Sequence, residues 1–154
     1  MKTILIAITI ILSFSSSQAQ TNYNPTGTWK WTNGNDTIEF YFKTDSLYYI
    51  DEYIPIIIAF HKYTKNGQVI ENCLANINSN YSQRLFSLSI INTADTNPKL
   101  GGDFKDISRN TLRYMILKRI NPTSMEIGLM YLEGVRNGKP YGFTLPRNFT
   151  LIKQ

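Results

Sequence analysis

The chain carries one histidine, His61, and one cysteine, Cys73. His61 lies in the run Ile57-x-Ala59-x-His61-x-Tyr63, so strand alternation puts it on one face with those residues. An imidazole can activate a thiol by drawing off its proton. The two side chains must meet for that, and Asn66-Gly67 between them is a strong tight-hairpin signal. Counting outward from that turn sets Tyr63 opposite Val69 or Ile70 and brings His61 opposite residues 71–73. A Cys73/His61 nucleophile pair is therefore geometrically available. Against it stand the lack of an evident oxyanion element and the frequency with which free thiols are buried as small hydrophobes. The expectation is a buried Cys73 and no catalytic residue. One imidazole cannot fill a metal shell, so neither a metal nor a cofactor is expected.

The other chemical candidates are weaker. Asp51 and Glu52 are adjacent, and neighbours on a strand point to opposite faces. They read as a solvated turn, not as a paired acid and base. Gly101-Gly102-Asp103 lacks the glycine spacing and following Lys-Ser/Thr of a phosphate loop. Asn35-Asp36-Thr37, Asn80-Tyr81-Ser82 and Asn148-Phe149-Thr150 match glycosylation acceptors, a triplet common by chance. The 16 Lys and Arg against 11 Asp and Glu give a formal charge of +5. The densest clusters, Arg113 with Lys118 and Arg119, and Arg136 with Lys139, are not runs, so no nucleic-acid partner is expected.

Tyrosine is the surplus residue type, with 10 in the chain beside 8 phenylalanines. Its apolar body and polar tip suit both a binding surface and the outer face of a sheet. Trp29, Trp31, Tyr41, Tyr114 and Tyr131 are the expected ligand contacts.

These residues need strands to hold them. Residues 28–32 and 37–43 flank Asn33-Gly34-Asn35-Asp36, and Ile38, Phe40 and Phe42 alternate with Thr37, Glu39, Tyr41 and Lys43. Asp45-Ser46 reads as a turn before a strand over 47–50. Residues 54–63 are more uniformly apolar, with Pro55 marking an edge or a strand start. Strands are also expected over 68–77, 84–91, 111–120, 124–132, 141–145 and 148–153, with a hairpin turn at Arg136-Asn137-Gly138-Lys139. Residues 92–106 read as a long loop with room for a short strand or a turn of helix. No stretch after the leader sustains an i, i+3, i+4 apolar pattern. Some eight to ten strands in sequential hairpins imply an all-β antiparallel meander, which hides its edges best as a closed barrel. A small up-and-down barrel is expected, with a two-sheet sandwich as the alternative.

Gly27-Thr28-Trp29-Lys30-Trp31 resembles the Gly-x-Trp opening of lipocalin-like (calycin-like) barrels, and the whole layout is similar to small exported bacterial proteins of that kind. The resemblance implies that Trp29 plugs the closed end, with a basic side chain from a late strand over its ring; Arg119 and Arg147 are the positional candidates. It also implies a small hydrophobic ligand in the barrel mouth. The alternative is a cell-envelope interaction protein with a filled barrel, binding a protein or glycan through its tyrosine-rich surface. Large residues on inward faces (Phe40, Phe42, Phe86, Phe149) favour a filled interior, and a void of about 300 Å³ would favour a small ligand.

Lys2, the apolar run 4–12 and Ser17-Gln18-Ala19 make residues 1–19 a cleavable export signal. The run is short of the roughly 20 residues that span a bilayer. Removing 19 of 154 residues leaves 135, one domain's worth, read as a leader over 20–26 and a single barrel domain over 27–154. Cys73 is far from the cut, so no lipid anchor at position +1 and no internal disulfide are expected. The expected location is periplasmic or extracellular.

Overall fold

The computed structural model describes residues 24–91, 99–131 and 142–154. The export signal, residues 20–23 of the leader and the turn at 136–139 lie outside them. Two β-prone runs meet at Gly34, whose φ of +59° suits the reversal. They form β1 (Gly27–Asn33) and β2 (Asp36–Tyr49). In β2, Ile38, Phe40 and Phe42 are buried, the period-two pattern that the sequence carries. Asp45-Ser46 does not break this strand. It pairs without interruption to Tyr49, because the reversal comes later, at Ile50 and Asp51, both at positive φ.

The partner, β3 (Glu52–Lys65), is buried on both faces from Ile56 to His61, which explains its unbroken apolar run. Ile57, Ala59 and Tyr63 face the main core. Ile56, Ile58 and Phe60 face a second cluster with Cys73, Leu74, Ile77, Tyr81 and Phe86. That cluster is roofed by an excursion after β4 (Gln68–Asn72), containing short 3-10 turns at Leu74–Asn76 and Tyr81–Gln83. The strand expected over 68–77 therefore stops at Asn72. The one expected over 84–91 shrinks to β5 (Leu88–Ile91), and Phe86 belongs to the second cluster instead of the barrel interior.

β6 (Lys99–Asp106) takes up the second half of the expected long loop as a full eight-residue strand; residues 92–98 lie outside the description. Its glycines are there for close approach. A Cβ on Gly102 would run into the backbone carbonyl of Ser89 on β5, and one on Gly101 into the Tyr114 phenol. β7 (Thr111–Asn121), β8 (Ser124–Met130) and β9 (Asn148–Lys153) complete the order. The expected strand over 141–145 is absent among the described residues. Residues 142–147 instead fold across the barrel end, with Leu145 in the main core and Thr144 donating to Asp106 from its backbone N–H (2.8 Å) and Oγ1 (2.6 Å).

Neighbours in the sheet run β2-β1-β9-β8-β7-β6-β5-β3, and β2 pairs again with β3. Eight antiparallel strands thus close a barrel in meander order, while β4 extends the far half of β3 as a ninth strand. Trp29 is buried in this interior. Its Nε1 donates to the Pro25 carbonyl oxygen at 2.6 Å, and the cation over its ring is Lys153, 5.6 Å away, not Arg119 or Arg147. The last strand delivers Lys153 because its register sets that residue opposite Trp29.

Candidate functional site

Two places bring reactive or binding side chains together. The first is a hollow of about 590 Å³ on the outside of the barrel, lined among others by Asp45, Tyr48, Tyr53, Asn80, Tyr81 and Arg84. β1 covers β2 only as far as Phe42, and β5 covers β3 only from Ile56. The rest of the β2–β3 hairpin therefore projects as a two-stranded arm. Tyr48 and Tyr53 pair across it, rings 5.1 Å apart, and both are largely exposed. The opposite wall is the turn Tyr81–Gln83, fixed by a capping box in which Asn80 and Gln83 bond each other's backbone. The Asp45 carboxylate ties wall to arm by accepting the Tyr81 N–H at 2.7 Å. Arg84, in the left-handed region at φ 56°, lays its guanidinium over the Tyr81 ring at 4.3 Å and donates Nη1 to the Tyr81 hydroxyl at 2.9 Å. Tyr81 stacks on Phe86, which roots the wall in the second core.

Two smaller hollows share walls with the first. One of about 250 Å³ uses Tyr81 with Gly101, Asp103 and Tyr114, and one of about 290 Å³ uses Arg84 with Asp103 and Lys105.

The second place is the interior pair that the Asn66-Gly67 turn made geometrically available. Tyr63 pairs with Glu71, not with Val69 or Ile70, because a bulge shifts the register between Tyr63 and Thr64. That shift leaves Cys73 beside His61. Its N–H donates to the His61 carbonyl at 2.8 Å, and its Sγ accepts the His61 N–H at 3.0 Å. Sγ lies 3.8 Å from Nδ1, Nε2 lies 2.7 Å from Glu71 Oε2, and Glu71 Oε1 accepts the Ser108 N–H at 2.7 Å. All three residues are buried. The ring lies between Phe40 and Phe104, 5.5 and 5.3 Å away.

Burial opposes charge on His61, but the hydrogen bonds of Cys73 and Glu71 outweigh it and push the imidazole up to about 9. Burial would raise Glu71 and Cys73. The bonds from His61 reverse both, so each lies below its ordinary value. The arrangement can hold an imidazolium between a thiolate and a carboxylate. Sulfur and carboxylate sit on opposite ring nitrogens and do not converge on one point. Accordingly, no group of three such side chains suited to a metal ion occurs among the described residues.

The five expected ligand contacts are dispersed. Trp29 is in the core, and Trp31 lies against it with Phe149 at 5.9 Å. Tyr41 packs on the second cluster, and Tyr131 lies at the barrel end beside Phe143 and Arg113. Only Tyr114 borders the outer hollows, through the smaller one shared with Tyr81.

A family model described as "Family of unknown function (DUF6705)" matches residues 1–154. The chain belongs to the DUF6705 family. No curated protein and no solved structure matches it. In this DUF6705 chain the sequence passed over Tyr81 and Arg84. Their signal was the Asn80-x-x-Gln83 capping pair, which marks a turn and not the strand assumed from residue 84.

Proposed function

We propose that the chain is an exported, lipocalin-like envelope protein with a filled barrel that binds an oligosaccharide in the hollow between the β2–β3 arm and the turn Tyr81–Gln83. The observation that carries the reading is the convergence of exposed Tyr48 and Tyr53 with Tyr81, Arg84, Asp45 and Asn80 around about 590 Å³. Tyrosine rings offer flat faces to the C–H side of a sugar. Carboxylate, amide and guanidinium groups at the rim match its hydroxyls. The hollow is open, as suits a polymer passing over it.

The interior is a poorer seat for a hydrophobic ligand. Trp29, Phe40, Phe42, Phe104 and Met115 are each at most 1% exposed, and the three hollows described lie on the outer wall. Export is supported by the Lys2 and 4–12 leader with its Ser17-Gln18-Ala19 junction. Periplasmic or extracellular delivery would put the groove among envelope glycans.

The test is calorimetric titration with chitohexaose and laminarihexaose. Saturable binding of either is expected, weakened at least tenfold by Tyr48→Ala or Tyr53→Ala and unchanged by Tyr131→Ala. Absence of binding by both sugars, or binding indifferent to the two groove variants, overturns it.

A further inference from the structure

The outer groove leaves the Cys73–His61–Glu71 line unused. Three polar contacts surround the Cys73 sulfur. The His61 N–H donates to it at 3.0 Å, His61 Nδ1 faces it at 3.8 Å, and as a thiol it would donate to the His61 carbonyl at 3.3 Å. The first two offer protons to sulfur. A thiol sulfur is a weak acceptor, whereas a thiolate gains from both. On the far side of the ring, Glu71 fixes the imidazole with Nδ1 aimed at sulfur, and Ser108 fixes Glu71. This is the nucleophile, base and orienting-acid order of an activated thiol.

The surroundings decide what such a thiol can meet. Leu74, Ile77, Tyr81 and Phe86 pack on the same cluster as Cys73, which is 5% exposed. None of the hollows described is lined by it. A peptide, a second thiol or a sugar is too large to reach the sulfur. A small uncharged electrophile is not.

We propose that Cys73 is a modification site: its thiolate, held by His61 and Glu71, is oxidised by hydrogen peroxide to a sulfenic acid. The sulfur lone pair attacks one peroxide oxygen. An S–O bond forms and the O–O bond breaks. Sulfur loses two electrons, which peroxide gains, and the leaving hydroxide takes the Nδ1 proton of the His61 imidazolium to become water. The products are Cys–S–OH, water and neutral imidazole. The apolar lid also excludes the second thiol that would resolve the product, so the sulfenic acid persists. Glu71 acts through the ring and is a positioning residue.

Dimedone trapping and intact mass on the purified protein test this, with peroxide added at pH 6 and pH 8. An ordinary thiol of pKa near 8.5 slows by roughly 75-fold between those values, because its thiolate fraction falls. Cys73 is expected to slow by less than threefold. Glu71→Gln is expected to restore a steep profile, with at least a tenfold loss of rate at pH 6. Glu71→Asp, which keeps the charge but shortens its reach to Nε2, moves the profile the same way if Glu71→Gln fails to fold. Absence of a dimedone adduct in folded protein, or a wild-type rate that falls with pH as an ordinary thiol's does, overturns the proposal.

Discussion

His61 holds partners on both ring nitrogens, and the three titrations are linked. The imidazole is pushed up to about 9 from its ordinary 6.5, so its contribution to stability is whole below 6.5 and is lost as pH rises through about 9. Glu71 is lowered from 4.5, so its contribution is present above 4.5 and is lost as pH falls through the folded value. Cys73 is lowered from 9.0, so its contribution is present above 9.0 and also shrinks as pH falls. Between 6.5 and 9 the histidine and cysteine terms run in opposite directions. Folding there draws a proton from sulfur as the ring takes one up, so the two terms offset. Wild-type stability should therefore fall less steeply across that interval than that of Cys73→Ser, in which Glu71 alone raises the ring and no cysteine term offsets it. Urea midpoints at a series of pH values measure both. Glu71→Gln should cost about 3 kcal/mol at pH 7, because it leaves the buried ring without its counter-charge.

At the scale of elements, the β2–β3 reversal is a two-residue turn with Ile50 at φ 46° and Asp51 at φ 62°. Both residues take the left-handed conformation that such hairpins reserve for Asn-Gly, and a β-branched residue there is an outlier. Ile50 is also 76% exposed, so the strain is not repaid by burial. Ile50→Asn with Asp51→Gly should raise stability by about 1 kcal/mol, visible as a higher Tm. The neighbouring turn shows why one reversal was legible and the other was not. Asn66-Gly67 uses the expected residues at φ 50° and 78°, and counting from it put His61 opposite residues 71–73, while the bulge that settles on Cys73 left no mark in the sequence. Asp45-Ser46 carried turn-forming residues that the strand ignores, because Asp45 is spent on Tyr81 and Ser46 backbone N–H groups. Gly101-Gly102 looked like a loop by propensity, yet close packing on Ser89 and Tyr114 is what demands those glycines. Gly102→Ala, meeting a strand backbone, should lower Tm well beyond Gly101→Ala, which meets a side chain able to swing away.

For the whole molecule, closure is the property that sequence reached most directly and located least well. The alternation of Ile38, Phe40 and Phe42 and of Met125, Ile127 and Leu129 marked the inward faces of β2 and β8. The wall that seals the ring depends instead on register between the two ends of the chain, which no local pattern encodes. That seam is short. β1 meets β9 through Trp29↔Lys153 and Lys30↔Ile152, extended by one bond from the Gln154 N–H to the Thr28 carbonyl. The same few residues put Lys153 over the Trp29 ring, while the Pro25 carbonyl accepts from its indole. Deleting residues 152–154 removes both rungs and the cation together, and leaves β1 with an open edge. The expected result is a protein whose Trp29 emission shifts to the red and whose urea unfolding loses cooperativity. Lys153→Ala, which keeps the backbone rungs and removes the cation alone, should cost only about 1 kcal/mol. If the truncated chain unfolds as cooperatively as the full one, the barrel is held by its seven other strand pairings and the seam is dispensable. If it does not, the C-terminal strand is what turns a curved sheet into a closed barrel.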